Sequence, residues 1–327
     1  MMERCTWKGQ HVPCDMLFKS VATPYGFCCS FNYFGLKQDS MARLYTVSPQ
    51  APKRVSATGF LTGLEIIVNS ILEDYFTRII PSIGHKIILH FPYDFPDRNS
   101  QMLLQYIEEL LLISVHPVLY RIDNNVKALE IDQRNCSFVG EKRLEYFTYT
   151  FHNCMSECRA NLIRNICECV PFYYIHFYNY STMKSIRICN LRDSICINQN
   201  IDRIYKSYSN CTCMQNCNYV RYSVETSSSI FTKQFVNHKP ALYSGVKLNN
   251  QSVIRIYFDD LVSTRYTTSL RYYWHTILGR IGGVLGILIG LSATSLIEIM
   301  YFFIIRPIID ILFQYRIIYF YAKNGYK

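Results

Sequence analysis

Residues 281 to 305, IGGVLGILIGLSATSLIEIMYFFII, carry one charge, Glu298, between Arg280 and Arg306. A helix that crosses a bilayer needs about 20 predominantly apolar residues, so this run predicts a membrane span. A buried helix of a soluble domain rarely runs so long without a polar face. Gly282, Gly286 and Gly290 recur every four residues, and Thr294 and Glu298 continue the spacing. Small residues at that interval let a second helix approach closely. Each step of four drifts about 40° around the axis, so Gly282 and Glu298 lie nearly opposite on one straight rod. Either the two faces meet different neighbours, or the helix is interrupted between them. Gly290-Leu291-Ser292 is the candidate break: glycine tolerates irregular backbone, and a serine hydroxyl can satisfy the groups it frees. Irregular backbone and a carboxylate at membrane depth are tolerated inside protein or beside a water-filled path. Both features favour a pore-forming helix over a dimerising anchor.

The upstream sequence points to an oxidising compartment. All fourteen cysteines precede the span, and so do four glycosylation sequons, at Asn135, Asn179, Asn210 and Asn250. Downstream, Arg306, Arg316, Lys323 and Lys327 face Asp310 alone, which places residues 306–327 in the cytoplasm by the positive-inside rule. The predicted topology is an extracellular N-terminal part, one span and a short cytoplasmic tail, in contact with membrane lipid at the plasma membrane. Residues 1 to 20 hold no apolar core of a signal peptide, so an upstream span is expected and the chain reads as N-terminally truncated from a multi-pass protein. The net charge of +10 is scattered, without a basic block or a nucleic-acid-binding motif, so nucleic acid is not expected as a partner.

Between residues 52 and 95, VSATGFLTGLEIIV and HKIILHF read as strands. QMLLQYIEELLLIS (101–114) fits a helix or a strand, and periodicity leaves both open. VHPVLYRI, YVRYSVE and SVIRIYFDD read as further strands, and Glu141 to Asn153 reads as a helix. Tyr272, Tyr273 and Trp274 match an interfacial aromatic belt. Ten cysteines crowd positions 136 to 217, including Cys167-Glu-Cys169 and Cys211-Thr-Cys213. These C-x-C spacings do not suit the usual zinc pattern or thioredoxin-type redox chemistry, which leaves disulfides of open connectivity. No metal or cofactor is expected. Gly290-Leu-Ser292-Ala-Thr294 lacks the glycine and the preceding strand of a nucleophile elbow, and the eight histidines are scattered, so an enzyme is not expected.

Taken in order, several motifs resemble the degenerin/epithelial sodium channel family, the amiloride-sensitive sodium channels, and most of all its insect pickpocket branch. They are Cys5 to Cys14, Tyr25-Gly26-Phe27-Cys28 with Ser30-Phe31-Asn32, Arg134-Asn-Cys136, Cys154-Met-Ser-Glu157-Cys158, Cys167-Glu-Cys169-Val-Pro171 and Cys211-Thr-Cys213 with Cys217. The end adds Tyr257-Phe258, Trp274, Gly282-Gly283, Gly286 and Gly290-Leu291-Ser292. The resemblance covers nearly the whole chain. It implies an α+β membrane protein with a β-rich, disulfide-stapled extracellular domain of palm, β-ball, finger and helical thumb. One C-terminal transmembrane helix, broken at a Gly-x-Ser belt, would follow. The implied divisions are finger, β-ball and palm over 1–135, a cysteine-rich thumb over 136–217, palm strands over 218–265, a wrist over 266–280, the family's second span over 281–305 and the tail over 306–327.

The resemblance further implies the disulfides Cys5–Cys14, Cys136–Cys217, Cys154–Cys213, Cys158–Cys211, Cys167–Cys196 and Cys169–Cys189. Cys28 would be left free, its family partner lying upstream, and Cys29 has no assigned counterpart. The implied function is that of a subunit of a homo- or heterotrimeric, amiloride-sensitive, sodium-selective channel gated by an unidentified extracellular stimulus. Gly290, Leu291 and Ser292 would form the filter, Gly279 the gating position, and Glu298 a cation-concentrating group below the belt. Arg280 departs from the family's usual small or acidic residue and would oppose cation entry unless it pairs or snorkels outward. The alternative is a single-pass, disulfide-rich cell-surface receptor or a non-conducting regulatory subunit.

Overall fold

In the computed structural model, which describes residues 1–35, 52–75, 81–98, 100–144, 148–178, 186–206, 211–230, 250–290 and 292–324, the chain divides into two units, Met1–Thr268 and Ser269–Lys327. The first unit begins with the hairpin β1 (Met2–Trp7) and β2 (Gln10–Val12). Its turn, Lys8-Gly9, has positive φ at both residues, the combination that matches strand twist in a two-residue hairpin loop. A short helix α1 (Cys14–Leu17) leads into the hairpin β3 (Phe18–Thr23) and β4 (Gly26–Phe31). Then come β5 (Leu64–Asn69) and the hairpin of β6 (His85–Leu89) and β7 (Gln101–Gln105). The long strand β8 (Glu109–Ile122) follows. The stretch 101–114 is thus two strands, separated by a turn in which Glu108 takes a φ of +58°. Burial of Leu111, Ile113 and Val115 at every second position of β8 is the strand period that shorter windows could not separate from a helical one.

β8 is the spine of a seven-stranded mixed sheet. β11 (Tyr219–Ile230) pairs antiparallel with it, and β12 (Gln251–Phe258) and β13 (Thr264–Thr268) pair parallel with it. Because β11 takes one edge of β8, β12 and β13 share the other end to end, opposite residues 110–115 and 118–122. Beyond β12 the order continues through β5 and β1 to β2. Tyr219, Tyr120 and Tyr266 occupy one register row across β11, β8 and β13, with ring centroids 4.6 and 5.3 Å apart. One apolar core gathers Cys5, Leu17, Ile66, Ile113 and Ile254.

The second core surrounds α3 (Phe151–Cys167), which follows α2 (Ile131–Arg134) and β9 (Cys136–Ser137); α4 (Asp193–Gln199) and β10 (Gln215–Asn216), which pairs with β9, complete this region. The helix expected over 141–153 starts ten residues later than expected. Glu141, where the expected helix begins, instead accepts from the Phe138 N–H and pairs with Arg134, closing a turn. Thr150 supplies the N-cap, its hydroxyl accepting from the Asn153 N–H at 3.1 Å. α3 then pins the 93–97 loop. Asn153 accepts from Phe95 N–H and donates to Tyr93 O, each at 2.7 Å, while Arg159, Ser156 and Tyr174 converge on buried Asp97.

The second unit is helical: α5 (Trp274–Ile289), α6 (Ala293–Met300), a π-turn over Tyr301–Ile305 and α7 (Arg306–Asn324). The bounds differ from the broken helix expected over 281–305. The helix starts seven residues earlier, stops at the glycine, restarts, and runs on through most of the expected tail. No single helix among the described residues is long and apolar enough to cross a membrane. Trp274–Leu288 and Ala293–Phe320 pass that test together, by length and composition, as a pair bent by 86°.

Candidate functional site

The break between α5 and α6 is built by two residues with opposite tasks. Gly290 closes α5 in the left-handed region, φ +67°, and its N–H donates to Gly286 O at 3.1 Å. An L-residue there costs roughly 1–2 kcal/mol, which explains a glycine at this point. Ser292 is extended and opens α6, its Oγ accepting from the Ser295 N–H at 3.2 Å. The same hydroxyl lies 2.5 Å from Thr294 Oγ1 and 3.1 Å from Ser295 Oγ. The last carbonyls of α5 have no partner further along the helix and carry its negative dipole end, so the break offers oxygen ligands and a field suited to a cation. Leu291 lies outside the described residues. Thr294 and Ser295 were not singled out as parts of the break, although Ser292-Ala-Thr294-Ser295 is a run of capping residue types.

Gly279, Arg280 and Glu298 are not gathered at the break. Gly279 lies eleven residues before Gly290, about 16 Å along the helix, and Glu298 six residues beyond Ser292, about 9 Å. A Cβ added at Gly279, Gly282 or Gly283 would meet nothing within 4 Å, so this face of α5 is open in the single chain. Arg280 turns back over the Tyr272 ring, its Cζ 4.3 Å from the centroid. Such stacking holds a guanidinium with ~0.5–2 kcal/mol.

Six disulfides staple the first unit: Cys5–Cys14, Cys136–Cys217, Cys154–Cys213, Cys158–Cys211, Cys167–Cys196 and Cys169–Cys189. They are the same pairs that the resemblance implies. α3 contributes Cys154, Cys158 and Cys167, and the segment on either side of β10 supplies Cys213, Cys211 and Cys217, which bond Cys154, Cys158 and Cys136. Cys28 and Cys29 are unpaired, with Cys28 Sγ 3.3 Å from the Thr23 hydroxyl. Cys169, Cys189 and Asp193 lie close together, but the two sulfurs share a disulfide and are not thiolate ligands. Asn135 and Asn250 are exposed, both in the left-handed region, whereas Asn179 and Asn210 lie outside the described residues.

The sequence model of the family described as "Amiloride-sensitive sodium channel" matches residues 1–302. The chain is 27% identical over 306 residues to "Sodium channel protein Nach" of Drosophila virilis, covering 93% of this chain and 75% of that protein. It is 26% identical over 324 residues to "Pickpocket protein 11" of Drosophila melanogaster, covering 98% of this chain and 57% of the relative. It is 25% identical to "Acid-sensing ion channel 4" of Mus musculus, covering 92% of this chain and 53% of the relative. The chain therefore spans little more than half the length of most curated relatives it matches.

Proposed function

Given that the chain belongs to the amiloride-sensitive sodium channel family, a family of ion channels and not of enzymes, we propose that it is a subunit of a trimeric, sodium-selective plasma-membrane channel opened by an extracellular stimulus. On this reading the disulfide-stapled unit is extracellular, carries glycans at its sequons, and passes force to a helix pair whose break lines the pore. The observation that carries the reading is the interruption at Gly290 and Ser292. A left-handed glycine and a capping serine stop one apolar helix and start another, leaving backbone carbonyls free to replace part of an ion's hydration shell. Gly279 is the position whose small size permits closure, and Glu298 draws cations toward the inner mouth. No cofactor enters the proposal; sodium is the permeating ion.

Arg280 favours a second reading, a non-conducting or regulatory subunit of a heteromer. Three guanidinium groups around one axis would oppose cation entry. Its stacking on Tyr272 supports the conducting reading, because it draws the charge along the helix surface. The test is the reversal potential in sodium and potassium solutions, recorded with co-expressed family subunits. Ser292→Tyr shifts the permeability ratio by several-fold if the break is the filter; an unchanged ratio with intact amiloride-sensitive current removes it from that role.

A further inference from the structure

Between one face of the seven-stranded sheet and the hairpins β3–β4 and β6–β7, the described residues line a cavity of about 670 Å³ that the channel reading leaves unused. That volume falls within the ~300–1,000 Å³ of sites that take one small organic ligand. The floor follows the strand period: Leu64 and Ile66 of β5 lie opposite Ile256 and Ile254 of β12, and Val68 continues the row. Phe31 of β4 and Ile87 and Leu89 of β6 pack toward this floor from the hairpins. All three stay partly exposed, so the apolar interior is open to solvent and can be entered.

The floor has no free backbone edge. β5 is paired with β1 and β12, and β12 with β5 and β8, so a polypeptide cannot add a strand there. Polar side chains of the wall are already engaged: His85 with Ser70 at 2.7 Å, and Ser30 with His90 at 3.2 Å. An occupant must therefore be apolar over most of its length, since a polar group left without a partner here is costly. The charges that line the cavity are of one sign. Lys53, Arg54 and Lys86 line it, and among the described residues no Asp or Glu does. Asp97, next to the lining residue Pro96, is committed to Arg159. Lys86 is held over the Tyr25 ring, its Nζ 3.4 Å from the centroid. Lys53 and Arg54 are exposed, and Asn32 fixes their backbone: its Oδ1 accepts from the Lys53 N–H at 2.7 Å and its Nδ2 donates to Lys53 O at 3.1 Å.

We propose that this cavity binds a long-chain fatty acid, its alkyl chain lying along the floor of Leu64, Ile66 and Ile254 and its carboxylate meeting Lys53 and Arg54. An apolar slot with a cationic rim complements an amphipathic anion. A neutral chain of the same length leaves the rim without a partner, and a cationic one meets only like charge. The site lies wholly within the first unit and does not depend on whether the chain conducts.

The test is photolabelling of the full chain in detergent with a palmitate analogue that carries a diazirine in its alkyl chain and a free carboxylate, followed by peptide mapping. Label is expected on the segments that line the cavity, around β5, β6 and β12. Palmitate is expected to displace it about fivefold better than hexadecanol or hexadecylamine, which share its chain and its partition into detergent. The double variant Lys53→Gln with Arg54→Gln, at two exposed positions, is expected to lower labelling at sub-saturating probe by about five- to tenfold. Ile256→Trp, which fills the floor, is expected to abolish it. Label confined to Ser269–Lys327, where any lipid can partition, overturns the proposal, as does the absence of label from the first unit. Equal displacement by the alcohol or the amine, or undiminished labelling of the double variant, also overturns it. Should Ile256→Trp not fold, the double variant and the three competitors decide.

Discussion

His85 is buried at the start of β6, with its Nε2 2.7 Å from the Ser70 hydroxyl. Burial lowers its pKa below the ordinary histidine value. The sign of the consequence follows: between the folded and unfolded pKa values the unfolded chain binds a proton that the native chain does not, so stability falls as pH drops below about 6.5. His90 adds to the same slope, since burial also lowers its pKa. Thermal unfolding of the full chain in detergent should therefore show a lower Tm at about pH 5 than at pH 7. His85→Gln, which keeps a partner for Ser70, should flatten part of that dependence; an unaltered slope would assign it to other groups. Neither histidine was separable from a solvated one in the sequence, because His85 and His90 flank an ordinary strand pattern, and only the fold brings Ser70 and Ser30 against them.

At the scale of elements, the disulfides along α3 act as rungs between two antiparallel stretches. Cys158–Cys211 closes 53 residues when considered alone, about 4 kcal/mol in the chain-entropy model. With Cys154–Cys213 already formed, the ring that it adds is only about eight residues around, which reduces its share to about 2–3 kcal/mol. The outer Cys136–Cys217 adds a ring of about twenty-four residues and about 3–4 kcal/mol. Denaturant unfolding should accordingly rank the paired Cys→Ser variants with the outer bridge costlier than the inner one; the reverse order would mean that native packing, and not chain entropy, sets their value. Much of this element level was legible. Ordered Cys spacings carried the connectivity through a family resemblance, and Gly290 with Ser292 marked the break through backbone freedom and capping chemistry. Helix boundaries were not: Glu141 looked like a helix start, yet its carboxylate serves a turn with Arg134, and only the fold places Thr150 beside Asn153.

For the whole molecule, the proposed trimer has a direct measure. Three copies of a 38.4 kDa chain give about 115 kDa of protein, so chemical cross-linking of the solubilised chain should produce a ladder that ends at three. A ladder ending at two or four would remove the three-fold pore. The 86° break has a consequence for how such an assembly sits in lipid. α5, with 16 residues, is about 24 Å long, shorter than a hydrocarbon core of about 30 Å, while Ala293 to Asn324 extends for about 48 Å. Neither length matches the bilayer. In the proposed channel, tilt or local deformation of the lipid would absorb both mismatches, each ångström costing a fraction of a kcal/mol. On the proposed channel reading, membrane thickness would then be a thermodynamic input to the open–closed balance, and thicker, sterol-rich membranes would set it differently from thin ones.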